Sequence, residues 1–345
     1  MTLKPYFVKA ISKRMLQHLA ASYYKLTNVS DQPQLLILMY HRVLPMADER
    51  AQREEPGMIV TPETFRLHIE TLKKDFEIIQ LSKWLALKKS GSVLPARACA
   101  ITFDDGWVDN YEFAFPLLRE LEVPATIFLV SEMIGTDQQF WPERFALVVT
   151  GIARNYTEQW SHPALEWIRE TSNHYAFSTL PPNREELSEM IANAKALPDH
   201  EIHDRLDNIE ETMNLSVENK KASLLNWQQL SEMIKSGLVE AGSHTCNHVR
   251  FNESTSRAVL EHEIISSKQQ IEKKTGYTVN TFCFPNGDYT PEALALVRQH
   301  YAGGVSTLYG WNSASTDRCL LQRIGVHEDV AKNRVAFLAR ISGWM

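Results

Sequence analysis

Ile101-Thr102-Phe103-Asp104-Asp105-Gly106-Trp107 decides how the rest of the chain is read. With Ala98-Cys99-Ala100 ahead of it, it is a short apolar, β-favouring run that ends abruptly in two adjacent carboxylates and a glycine. Adjacent side chains on a strand point to opposite faces, so two neighbouring aspartates share a cavity only where the strand has ended and the chain turns. Gly106 permits that turn. Asp104 and Asp105 are therefore expected at the C-terminal mouth of a strand. Two carboxylates that close are comfortable when one binds a cation or holds a proton. Taken alone, the motif also reads as a solvated Asp-Asp-Gly turn, since both residue types are ordinary turn formers.

Outward from this stretch, strand and helix signals alternate. Leu35 to Tyr40 is a continuous apolar run suited to a parallel strand covered on both faces, and it ends in His41-Arg42. Thr61-Pro62-Glu63 supplies a capping hydroxyl and a proline at the first helical position, and Phe65, Ile69, Leu72 and Phe76 give that helix one apolar face. Glu77 to Leu81 reads as a short strand, and Ser82 as the cap of a helix stopped by Gly91. Tyr111 to Leu121 reads as helix and Val123 to Val130 as strand. Asn226 and Gln229 form a capping box, and Gly237 ends that helix ahead of the strand bearing Gly242-Ser243-His244. A long helix is expected over Glu253 to Lys274, and another opens at Pro291. Strands are expected at Val279 to Phe284, Gly303 to Thr307 and Leu320 to Val326, the last ending at His327. Seven or eight strands alternating with helices predict an α/β protein with a parallel sheet, closed or wound, and function at the C-terminal strand ends.

The segment 138–226 breaks the alternation. It has no clear strand, carries Trp141, Tyr156, Trp160, Trp167 and Tyr175, and holds amphipathic stretches at 184–196 and 201–213. It is expected to be a helical insertion whose aromatics pack among its helices or line a sugar groove, with His162, His174, His200 and His203 on its surface. Residues 45–60 read as a loop near the barrel mouth. In the N-terminal extension, residues 1–34, Ile11, Met15, Leu19 and Tyr23 fall at helical spacing beside several lysines. This is a helix packed on the barrel or a basic amphipathic helix at a membrane surface. Basic residues interrupt any secretory signal core there, and no run reaches the ~20 apolar residues of a membrane span. Four cysteines without C-x-x-C spacing read as buried free thiols. A cytoplasmic location is the expectation, with peripheral contact at the inner membrane face as the alternative that the amphipathic helix leaves open. The formal net charge of −6 gives no basic footprint for nucleic acid. A length of 345 residues accommodates a barrel of ~250 with additions.

A second stretch, Gly242-Ser243-His244-Thr245-Cys246-Asn247-His248, places two histidines four apart after another apolar run. An i, i+4 pair shares one face of a helical turn, a common way to chelate a metal. One carboxylate with two imidazoles leaves coordination positions open, as catalytic sites do.

On these residues the chain resembles the polysaccharide deacetylases with a NodB-like domain, carbohydrate esterase family 4. Thr102 to Gly106 match the family's TFDDG motif, His244 to His248 its H-(S/T)-x-x-H motif, and Phe284-Pro285-Asn286-Gly287 loosely its third. Met39-Tyr40-His41 resembles the strand end that carries the general acid. It stands first in the chain, as in the circularly permuted subset typified by the poly-N-acetylglucosamine deacetylases. The resemblance implies an irregular (β/α)7-8 barrel over 35–345, interrupted by the insertion. It implies a hydrolase that removes acetyl groups from an N-acetylated sugar or polysaccharide intermediate. It further implies that Asp105, His244 and His248 bind a divalent metal, most often Zn2+, although Co2+, Ni2+ or Fe2+ suit the same ligands. Asp104 is then the general base rather than a ligand, and His41 the general acid. The backbone N–H of Asn286, after Pro285, would hold the oxyanion, and Met39 would help to enclose the acetyl methyl.

His327 is the competing acid, since Ile324-Gly325-Val326-His327 resembles the unpermuted motif. The arginine that many members carry two residues before the third motif's proline is replaced by Cys283, and Arg323 is a candidate replacement. The family's Asp-rich, Trp-containing fourth motif is not recognisable, with Trp311 and Asp317 out of pattern. An O-deacetylase or other amide hydrolase would use the same metal centre. A catalytically silent carbohydrate-binding barrel is the reading from a different class.

Overall fold

The apolar run around Leu35–Tyr40 becomes the strand that closes the sheet. The structure, a computed structural model, describes residues 15–22, 32–155, 157–178, 180–215 and 223–343. The strands of its main sheet are β1 (Gln34–Tyr40), β2 (Glu77–Ile78), β3 (Arg97–Phe103), β4 (Ala125–Leu129), β5 (Val239–Ser243), β6 (Thr281–Cys283), β7 (Gly303–Tyr309), β8 (Asn312–Ser313) and β9 (Leu321–Gly325). They lie in the order β8-β1-β9-β7-β6-β5-β4-β3-β2, and β1 also pairs with β3 along its whole length. That second pairing closes a ring of seven parallel strands. β2 adds to the edge of β3, and β8 runs antiparallel on β1.

Closure needs strands covered on both faces. Leu35, Leu36, Ile37 and Leu38 are all fully buried, as are Ala98 to Ile101 opposite them. Each such leucine or isoleucine contributes roughly 1.5–3 kcal/mol by leaving water. The register also sets the site. Tyr40 lies opposite Phe103, and the Asp104 N–H donates to the Tyr40 carbonyl at 3.0 Å. His41 and Asp104 therefore leave the barrel at one level.

Local signals shape the surrounding helices. Thr61 accepts from the Thr64 N–H at 3.1 Å and caps Pro62–Leu72. Asn226 and Gln229 make both bonds of a capping box. Three expectations need correction. Ser82 does not cap the helix Leu81–Ser90; its N–H and hydroxyl go to the half-buried Glu240 carboxylate, which Thr126 also holds. The long helix begins at Arg257 rather than Glu253 and is interrupted by a π-helical turn, His262–Ser266. Residues 45–60 are not all loop, since Glu49–Gln52 is helical.

The chain divides into two compact units, one holding the barrel, the other made of residues 44–59 and 136–223. The second contains helices Trp141–Asn155, Arg184–Ala194 and Asp199–Thr212. Trp141, Trp160, Trp167 and Tyr175 are buried in its own core with Phe145 and Ile202, whereas Tyr156 lies outside the described residues. Arg184 donates to the Glu54 carbonyl at 3.0 Å, which ties 44–59 into this unit. Its His174 and His200 are exposed, and His162 and His203 half-buried.

Most of the N-terminal extension, including Ile11 and Tyr23, lies outside the described residues. Residues 15–22 are helical, with Ala20 and Ala21 buried and Met15, Leu16 and Leu19 exposed. No described helix is long and apolar enough to cross a membrane. All four cysteines are buried and unpaired.

Candidate active site

The chain turns sharply as it leaves β3. Asp105 and Gly106 have φ of 75° and 81°, in the left-handed region that aspartate tolerates and glycine favours. A Cβ at Gly106 would meet Ile134 Cδ1 at 2.8 Å, so a side chain there would also make Ile134 shift. Asp104 and Asp105 are 3% and 5% exposed, which rules out the solvated-turn reading. Trp107 Nε1–H donates to Asp105 Oδ2 at 2.9 Å and leaves Oδ1 for other partners.

The histidine pair is not on a helical turn, contrary to the spacing argument. It follows β5 in a loop where Thr245 and His248 have φ of 71° and 60°. His248 N–H donates to Thr245 Oγ1, and the buried Glu263 carboxylate accepts from the Cys246 and Asn247 N–H groups at 2.8 and 2.9 Å. Glu263 projects from the π-helical turn, a local widening common at functional sites. No spacing in the sequence pointed to it.

The donor set fits a metal. His244 Nδ1 lies 2.8 Å from the Cys283 carbonyl, which can only accept, so Nδ1 carries a proton. In the neutral ring the Nε2 lone pair then faces Asp105 Oδ1 at 3.4 Å, and His248 Nε2 stands 3.5 Å from the same oxygen. Donor atoms about 2.0–2.2 Å from one tetrahedral ion are separated by about 3.3–3.6 Å. Lone pairs converging at such spacing call for a cation between them. Burial opposes charge on Asp105, but protonated imidazoles at His244 and His248 would hold its carboxyl well below the ordinary range.

Asp104 is built differently. Arg323 Nη1 and Nη2 donate to its two oxygens at 2.7 and 2.8 Å, with the guanidinium fully buried. Burial disfavours the charge on Asp104, yet the Arg323 guanidinium outweighs it and holds the carboxyl below its usual value. Arg323 is itself anchored by the Ser306 carbonyl at 2.9 Å and lies 3.2 Å from Cys283 Sγ. The arginine replaced at position 283 is thus supplied from β9. Asp104, His244 and Cys283 also converge, but a guanidinium on both Asp104 oxygens opposes a metal there. His41 Nε2 stands 4.0 Å from Asp104 Oδ2, with its side chain 21% exposed.

The remaining expected residues sit at the same strand ends. His327, after β9, is 3.3 Å from Asp329 Oδ2, and burial lowers its pKa. Met39 is half-buried, and a Cβ at Gly325 would meet its Cε at 3.0 Å, so the glycine makes room for it. Pro285, Asn286 and Gly287 form a turn after β6 in which Asn286 has φ 56° and its carbonyl accepts from Thr307 Oγ1 at 2.9 Å. Trp311 donates to the Ile341 carbonyl and Asp317 pairs with Arg298, which leaves neither in this constellation.

A family model described as polysaccharide deacetylase matches residues 92–303, more than half of the chain. The chain belongs to the polysaccharide deacetylase family. Among curated proteins, a Staphylococcus epidermidis poly-beta-1,6-N-acetyl-D-glucosamine N-deacetylase is 34% identical over 109 residues, 29% of this chain and 37% of that protein. The chain spans about half the length, or less, of the first curated relatives it matches. Among solved structures, IcaB from Ammonifex degensii superposes with a TM-score of 0.56 at 16% identity, over 89% of this chain and 97% of that one. The Streptococcus pyogenes deacetylase PplD in complex with acetate gives 0.55 at 20%, over 87% and 95%. At such identities these structures share the fold, an α/β barrel of the NodB type.

The family match begins after β1 and ends before β9. Two strands outside it, β1 and β9, are paired in the barrel, Leu38 opposite Ile324 and Met39 opposite Gly325. They bring His41 and Arg323 to the deacetylase motifs from opposite ends of the chain.

Proposed function

We propose that this polysaccharide deacetylase hydrolyses the acetamide of an N-acetylated sugar, with Asp104 as general base and His41 as general acid. The observation that carries the reading is the buried Asp104 carboxylate, held ionised by Arg323, beside the Asp105–His244–His248 donor set. Those three residues would hold a divalent cation, zinc on the chemistry of its ligands, with cobalt, nickel or iron acceptable to the same set. Such an ion, when bound, makes water acidic near neutral pH and polarises a carbonyl.

Asp104 takes a proton from the water that attacks the acetyl carbon. Arg323 keeps that carboxylate oriented and ionised. His41 gives a proton to the amine nitrogen as the carbon–nitrogen bond breaks, so that acetate and a free amino sugar result. The Asn286 N–H would stabilise the oxyanion, and Met39 would provide an apolar wall for the acetyl methyl. The name of the staphylococcal relatives favours a polymer of N-acetylglucosamine as substrate. The test is acetate release by purified, zinc-loaded protein from β-1,6-linked N-acetylglucosamine oligomers and from acetylated ester substrates. Release from the oligomers is expected. Ester cleavage alone would support the O-deacetylase reading, and no turnover with metal bound would support a silent barrel.

A further inference from the structure

His41 stands on a segment held from one side by two residues that the mechanism above does not use. Asp109 and Asn110 are both fully buried. Asp109 Oδ2 accepts from Arg42 Nε at 2.9 Å and Oδ1 from the Val43 N–H at 2.8 Å. Asn110 Nδ2 donates to the His41 carbonyl at 2.9 Å. Residues 41, 42 and 43 are thereby gripped in succession, His41 and Val43 through the backbone and Arg42 through its side chain. The Arg42 guanidinium also lies 4.1 Å over the Trp107 ring, whose Nε1–H holds Asp105.

We propose that Asp109 and Asn110 are positioning residues that set the depth and direction of His41 as proton donor. Five and six residues past the base, the same stretch that carries Asp104 and the ligand Asp105 carries this clamp. A shift of the turn therefore moves base, ligand and acid together. A buried carboxylate spent on one backbone N–H and one guanidinium is costly to maintain. Placing the two strand ends in a fixed relation is a use that matches the cost. The inference rests on His41 being the acid.

The experiment compares a leaving group that needs a proton with one that does not. Zinc-loaded wild type, His41→Ala, Asn110→Ala and Asp109→Asn are assayed on an N-acetylated sugar oligomer and on 4-nitrophenyl acetate, with bound zinc measured for each. Asn110 Oδ1 is buried without a hydrogen-bond partner among the described residues, so Asn110→Ala also removes an unsatisfied acceptor and is expected to fold. It keeps the test valid if Asp109→Asn does not fold. His41→Ala is expected to lose roughly 10²-fold or more on the amide and much less on the ester. Asn110→Ala and Asp109→Asn are expected to keep their zinc and to show the same split, the amide loss exceeding the ester loss by about tenfold. If His41→Ala splits the two substrates while Asn110→Ala loses both in parallel or neither, the positioning role is wrong. If His41→Ala does not split them, the acid assignment fails and this inference with it.

Discussion

Replacing Arg323 with methionine removes a charge while keeping most of the side chain's length. In the wild type the guanidinium grips both oxygens of Asp104 at 2.7 and 2.8 Å, and neither group reaches solvent appreciably. With charge centres about 4 Å apart and an effective dielectric of about 20, the attraction is about 4 kcal/mol. That attraction favours the ionised carboxylate, so its loss raises the Asp104 pKa. The sign follows from the wild-type shift: Arg323 lowers this pKa, so the base is ionised well into the acidic range. Without Arg323 the carboxyl holds its proton to higher pH. The acidic limb of kcat/KM against pH is expected to move upward, with activity lost on the acidic side and partly recovered as the pH is raised. Breaking a buried pair also costs roughly 3–5 kcal/mol of stability, so urea unfolding and bound zinc are measured on the same samples. Arg323→Lys keeps the charge without the fork and is expected to move the limb less. A folded, metal-bound Arg323→Met protein whose acidic limb stays in place would refute the reasoning.

Asp105→Ala and His248→Ala are expected to bring bound zinc well below one equivalent by elemental analysis; full occupancy in both would remove the metal assignment. Asp104→Asn is expected to keep the metal and lose roughly 10²–10⁴-fold in turnover, and a variant within a few-fold of wild type would show that the base lies elsewhere. His68, buried beneath Tyr40, has its pKa lowered to about 4 by desolvation, against the pull of the Ala331 carbonyl. The unfolded chain takes up this proton near pH 6.5 and the folded one only near 4. The stabilisation, about 3 kcal/mol, is therefore present above pH 6.5 and lost as pH falls toward 4. Urea titrations from pH 7 to 4 should show that decline, and His68→Gln, which can keep both hydrogen bonds without titrating, should flatten it; equal slopes would refute the attribution.

Much of the barrel was legible in the sequence because its signals are local. Leu35–Tyr40 and the run into Asp104 are apolar on both faces, as only an enclosed parallel strand can be, and Thr61, Gly91 and Asn226 mark helix ends by their own hydrogen bonds or backbone freedom. The Asp-Asp-Gly and His-x-x-x-His spacings likewise announced a candidate donor set, because Asp105 and the two histidines sit on two short loops. Other features depended on which strands became neighbours. The helical turn inferred for His244 and His248 gave way to a loop pinned by Glu263, a carboxylate on a separate helix. Cys283 read as a missing arginine. Only closure of β1 against β3 and β9 could show Arg323, on the last strand, filling its place beside Asp104. The grip of Asp109 and Asn110 on 41–43 was equally invisible. Spacing along a chain specifies periodicity and turns, whereas a buried charge is satisfied by whatever side chain the folded backbone brings within 3 Å, and strand pairing alone decides which one that is.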